Sequence, residues 1–178
     1  MKLFLLIFLG LFSSALAVTD SIGLNISSDA TVRYVTVKSF TAQGIQDAID
    51  QVSSSNGEIY LPAGVYDMRV TANANANAKV LINKSVNLSG AGIGTVISAV
   101  SANGTTMFDV SSNDISISNM YFYGSDTTNG ELNDGKIGVN NTSGIANRLT
   151  VENCYFRAWA EAISSTVGNA SVNWKIKN

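Results

Sequence analysis

The chain of 178 residues has no histidine and a single cysteine, Cys154, and those two facts remove several kinds of chemistry. Without an imidazole there is no common general base, no Ser-His-Asp triad and no ordinary zinc site. One cysteine allows no intrachain disulfide. What remains are carboxylates, cations and aromatic rings. Asp126, Glu131 and Asp134 lie in a polar stretch from Gly124 to Lys136, and their oxygens are the hard ligands that calcium takes. Lys136, Arg148 and Arg157 are the cations nearest to them in sequence. The spacing matches no calcium-loop motif, so the stretch reads as a solvated loop and none of these residues is assigned a catalytic role. No cofactor is evident.

Among the aromatic residues, Tyr121, Tyr123 and Tyr155 alternate with Phe122 and Phe156. That places the tyrosines on an outer face and the phenylalanines inside. The tyrosines suit either sugar stacking or an aromatic ladder that stabilises the fold, and the ladder is the default. Trp159, in Arg157-Ala158-Trp159-Ala160, suits packing or contact equally. Seven Asn-x-Ser/Thr sequons occur, at Asn25, Asn83, Asn87, Asn103, Asn140, Asn141 and Asn169. All except Asn87, which falls on an expected strand, are candidates for glycosylation.

The elements that position these residues begin with export. Lys2, the apolar run Leu3 to Phe12 and the small residues Ala15 and Ala17 form a secretory signal peptide over residues 1–17, too short to span a bilayer. No later segment approaches transmembrane length, so no membrane span is expected after cleavage. Lys and Arg number 11 against 13 Asp and Glu, with no dense basic run, so nucleic acid is not an expected partner.

After a polar leader over residues 18–43, Ile45, Ala48, Ile49 and Val52 share one face of a short amphipathic helix. Glu58-Ile59-Tyr60-Leu61 alternates as a strand, Pro62 ends it and Gly64 is expected at positive φ. A repeat then recurs in four segments: Val86 to Ile93, Ile115 to Phe122, Leu149 to Phe156 and Trp174 to Asn178. In register, Val86, Ile115, Leu149 and Trp174 form one column, and Leu88, Ile117, Val151 and Ile176 form the next. Gly90, Asn119, Asn153 and Asn178 share a turn. Intervals of roughly 25 to 35 residues suit a coil with loops of variable length, stacking like residues at the ~4.8 Å strand spacing. Met120 should stack on Cys154 and Phe122 on Phe156. Asparagine suits the turn because it tolerates left-handed backbone and can bond its counterpart one rung away.

Carboxylates are sparse in this register. The outward columns Asn87, Ser116, Thr150, Lys175 and Ser89, Ser118, Glu152, Lys177 contain one, Glu152, which is expected to pair with Lys177. Asp109, between Phe108 and Val110, is expected to project outward alone. Thr71 to Ala78 alternates Ala and Asn and is expected to be a loop.

The helix, then Gly57-Glu58-Ile59-Tyr60-Leu61-Pro62-Ala63-Gly64-Val65-Tyr66, then Val86-Asn87-Leu88-Ser89-Gly90-Ala91-Gly92 resembles the opening of pectate-lyase-like proteins. The resemblance covers roughly residues 44–178. It implies an all-β, right-handed parallel β-helix (a solenoid) whose open end is capped by the short N-terminal helix. Lyases of this fold use calcium and an Arg or Lys base, which would point to the acidic stretch and cations named above. The Asn-Thr-Asp, Asp-Asp and His-bearing motifs of the polygalacturonase type are missing.

The expectation is therefore a secreted or cell-surface β-helix, incomplete after Asn178, that acts on or binds extracellular polysaccharide or cell-surface glycan. The alternative is a non-catalytic surface adhesin or structural module.

Overall fold

A computed structural model describes residues 32–53, 56–69, 78–99, 106–124, 137–141, 148–165 and 175–177. The described strands form two sheets in which every pairing is parallel. The first sheet contains β1 (Tyr34–Thr36), β2 (Gly57–Leu61), β5 (Val86–Gly90), β8 (Ile115–Tyr123), β10 (Leu149–Arg157) and β12 (Lys175–Lys177), hydrogen-bonded in that order. It also contains β3 (Gly64–Asp67) and β6 (Thr95–Ser98), joined through β8. The second sheet is β4 (Ala78–Ile82), β7 (Thr106–Val110), β9 (Ile137–Asn141) and β11 (Glu161–Ser165), again neighbours in chain order. From β4 onward the chain alternates between the sheets, so each parallel crossover passes through a strand of the other sheet.

In the first expected column Ile115 lies in register with Leu149, while Trp174, and Asn178 of the turn, lie outside the described residues; the second column is present. Leu88 lies in register with Ile117, Ile117 with Val151 and Val151 with Ile176; Val35 and Ile59 extend the row. Ile59, Leu88, Ile117 and Val151 are buried, each worth roughly 1.5–3 kcal/mol of transfer free energy. Met120 pairs with Cys154 and Phe122 with Phe156, whose rings stack with centroids 4.6 Å apart.

β8 and β10 are each one long strand where the preceding rung uses two short ones. The first half of β8 pairs with β5 and the second with β6. Between the halves sits Asn119 at φ 57°, with Asn153 at φ 51° at the same place in β10. The Asn153 amide donates to Asn119 Oδ1 at 3.2 Å, and the Asn119 amide donates to Ser89 Oγ at 3.2 Å. Gly90 takes this position one rung earlier, where a Cβ would meet the Asn119 carbonyl oxygen at 2.3 Å; space, not positive φ, requires glycine there. Gly64 has the expected positive φ, 158°, and the Phe40 ring adds a second constraint, 2.4 Å from where a Cβ would lie.

The helix α1 spans Ala42–Gln51 with Ile45, Ala48 and Ile49 buried, and the buried Val52 follows as its C-cap. Thr41 caps its start by accepting from the Gly44 N–H at 3.0 Å. At its other end Lys84 Nζ donates to the carbonyls of Ile49, Asp50 and Val52 at 3.0–3.1 Å, satisfying groups that a helix leaves open. The helix lies along β4, the end strand of the second sheet. There Gln46 accepts from the Leu81 N–H at 2.8 Å and donates to the Leu81 carbonyl at 3.3 Å. One side chain thus takes the place of a neighbouring strand, which is the protection a sheet edge needs.

Several expectations are corrected. The leader supplies β1, which pairs with β2. Ala78 begins β4; residues 71–77 lie outside the described residues. Gly124 follows the end of β8, and its N–H donates to the Arg157 carbonyl at 2.9 Å; residues 125–136 lie outside the described residues. Asp109 does not project into solvent: it is 7% exposed, in register with Leu81 and Asn140.

Candidate functional site

The outer face of the first sheet carries rows of side chains that the parallel register sets one above another. On its second half, Val65, Val96, Tyr121 and Tyr155 form one row and Asp67, Ser98, Tyr123 and Arg157 the next. Alternation with the buried Phe122 turns the tyrosines outward. Tyr121 and Tyr155 have centroids 5.3 Å apart, Tyr121 and Tyr123 6.0 Å, and Tyr155 is 59% exposed. The Arg157 guanidinium lies 5.9 Å from the Tyr123 ring centroid, a cation–π contact. The result is a surface of tilted rings running across the strands, with Tyr155 its most exposed member. Trp159 is a packing residue: its indole N–H donates to the Phe122 carbonyl at 2.9 Å.

On the first half of the same sheet the rows are Tyr34, Glu58, Asn87, Ser116, Thr150 and Thr36, Tyr60, Ser89, Ser118, Glu152, and the backbones of Lys175 and Lys177 follow in register with Thr150 and Glu152. Glu152 and Lys177 are in register as expected. Sequence reasoning missed Tyr34, Glu58 and Tyr60, because β1 precedes the recognised repeats; the i, i+2 alternation of Glu58 and Tyr60 was the available signal. Glu58 and Glu152 lie three strand spacings apart across the sheet and two residues apart along it, about 16 Å. Two-carboxylate glycoside hydrolysis needs about 5 to 10 Å.

The other charged candidates are held elsewhere. Arg148 grips Asp114 through both carboxylate oxygens, and the hydrogen bond from Arg148 holds the Asp114 carboxyl below its usual range. Both residues have positive φ, at 59° and 55°, at equivalent corners just before β10 and β8. Ser85 joins this corner column by donating to the Asp114 carbonyl at 3.1 Å. Asp67 is likewise lowered by hydrogen bonding from Arg69. Burial pushes the Cys154 thiol up to about 11, which opposes a nucleophilic role at neutral pH.

Asp126, Glu131, Asp134 and Lys136 lie outside the described residues, and among the described residues no group of three acidic, His or Cys side chains is placed to hold a metal. Of the sequons, Asn25, Asn103 and Asn169 lie outside the described residues. Asn83 is exposed. Asn140 and Asn141 are buried, 2% and 0% exposed.

The chain matches no protein-family model, no curated protein and no solved structure in the three comparisons made. The geometry of the outer face is therefore what bears on function. Among the described residues no helix is long and apolar enough to cross a membrane.

Proposed function

We propose that this protein is a secreted or cell-surface right-handed parallel β-helix, pectate-lyase-like in architecture, that binds extracellular polysaccharide on the outer face of its first sheet. The observation that carries this reading is the ring surface of Tyr121, Tyr123 and Tyr155, in which Tyr155 is exposed, the other two are half-buried, and Tyr121 and Tyr155 lie in register on successive rungs. Tyrosine presents an apolar ring face to a pyranose and a hydroxyl to its polar edge, and a row across the strands suits a polymer better than a small molecule.

Several features support the coil. Every pairing is parallel, the chain alternates between two sheets and the Asn119–Asn153 ladder joins successive rungs. Parallel crossovers are right-handed in nearly all proteins. Lys2, the apolar run and Ala15-x-Ala17 support export.

Binding without cleavage is favoured by the wide separation of Glu58 and Glu152, which makes a surface adhesin or structural module the nearer description. The test is retention of the protein on a panel of immobilised neutral, acidic and amino polysaccharides, with a parallel depolymerisation assay with and without calcium. Retention without product supports the reading. No retention on any polymer rejects it, and calcium-dependent release of unsaturated product would replace it with a lyase and direct attention to Asp126, Glu131 and Asp134.

A further inference from the structure

A second cluster of rings lies on the same outer face, toward β1. Tyr34, Glu58 and Asn87 stand in one row on β1, β2 and β5, and Tyr60 and Ser89 stand beside them in the next. With Ile59 they line a shallow concavity of about 230 Å³. Tyr34 is 60% exposed, Glu58 and Asn87 are exposed and Tyr60 is half-buried. The two tyrosines are on a diagonal, with Glu58 in register with Tyr34 and two residues before Tyr60 on the same strand.

The contrast with the other cluster is in its cation. There the chain supplies one, Arg157 over Tyr123. Around Glu58 the lining contains no Lys or Arg, and Glu58 makes no ion pair with a described residue.

From this geometry we infer that the concavity is a subsite for an organic ammonium group and, resting on the polysaccharide reading above, that its occupant is a protonated amino sugar of an extracellular polymer. Ring faces and a carboxylate act in the same direction on such a group: the ring quadrupoles attract a cation and the carboxylate pairs with it. Asn87 offers an amide and Ser89 a hydroxyl to the sugar's hydroxyls. A uronate at this position would set like charge against Glu58. The net charge of −2 has the sign that favours a cationic polymer.

The experiment is isothermal titration of the full chain at pH 6 with soluble glucosamine oligomers, their N-acetylated counterparts and oligolysine. It is repeated on Glu58→Gln and Tyr34→Ala, with far-UV circular dichroism as the folding control; both residues are exposed. Glucosamine oligomers should bind, and each substitution should weaken them about tenfold. Glu58→Gln should weaken the acetylated oligomers less than the free amines, and affinity for the free amine should fall as it deprotonates at alkaline pH.

Equal affinity of glucosamine oligomers for wild type and Glu58→Gln overturns the inference. So does Glu58-dependent binding of oligolysine alone, which would make the occupant a protein. If glucosamine oligomers fail while another polysaccharide is held through Tyr121 and Tyr155, this inference falls and the proposed function stands. If no polysaccharide binds, both fall.

Discussion

Asn119 and Asn153 each combine two properties that few side chains share, a left-handed backbone and an amide that reaches the next rung. Alanine at Asn153 should cost about 1–2 kcal/mol, since it keeps the positive φ without tolerating it and loses the bond. Glycine relieves the backbone and should cost less. Urea unfolding of the two variants checks the order.

Acid stability is also set residue by residue. The Asp67 carboxyl is held below its ordinary range in the folded chain, chiefly by the hydrogen bond from Arg69. Its contribution is therefore present above the ordinary carboxylate range and is lost as pH falls through the lowered value. Asp67→Asn should flatten the acid limb of a stability-versus-pH curve, and an unchanged limb would show that this pair contributes nothing. Cys154, raised to about 11 by burial, should resist alkylation at pH 8 when folded and react when the chain is unfolded in urea.

The asparagine turn was legible because asparagine is a turn former whose recurrence was visible. Asp114, Arg148 and Ala158, at φ 55°, 59° and 60°, were not, since arginine and alanine carry no signal for left-handed backbone. Their conformation comes from the corner they occupy.

At the scale of elements, α1 and β4 depend on one another. Gln46 satisfies both backbone groups of Leu81, and Lys84 in return satisfies three carbonyls around the end of α1. Gln46→Leu should cost about 1–3 kcal/mol by leaving partly buried backbone groups unpaired, and the Leu81 amide should exchange faster with deuterium. Unchanged exchange would mean that another group covers this edge.

The helix itself was readable from Ile45, Ala48, Ile49 and Val52. The strands of the second sheet were not, because Thr106–Val110 is buried at every position and Ile137–Asn141 is buried at four of five. A strand covered on both faces loses the alternation by which strands are recognised. The same covering explains why Asp109, expected outside, is buried.

For the whole molecule, the columns Leu88–Ile117–Val151–Ile176 and Phe122–Phe156 carried the architecture into view before any coordinates, since stacking demands like residues at like positions. The ligand-facing surface was only half legible. Tyr121 and Tyr155 stood in the repeat, whereas Tyr34 and Glu58 meet only once β1 is paired with β2.

The central claim is that the rung-to-rung tyrosines bind extracellular polysaccharide. It is tested most directly by the affinity of the folded chain for the polymer it retains best, measured beside a Tyr121→Ala/Tyr155→Ala variant with an unchanged far-UV spectrum. The account predicts a loss of about tenfold or more; equal affinity in the two proteins would contradict it.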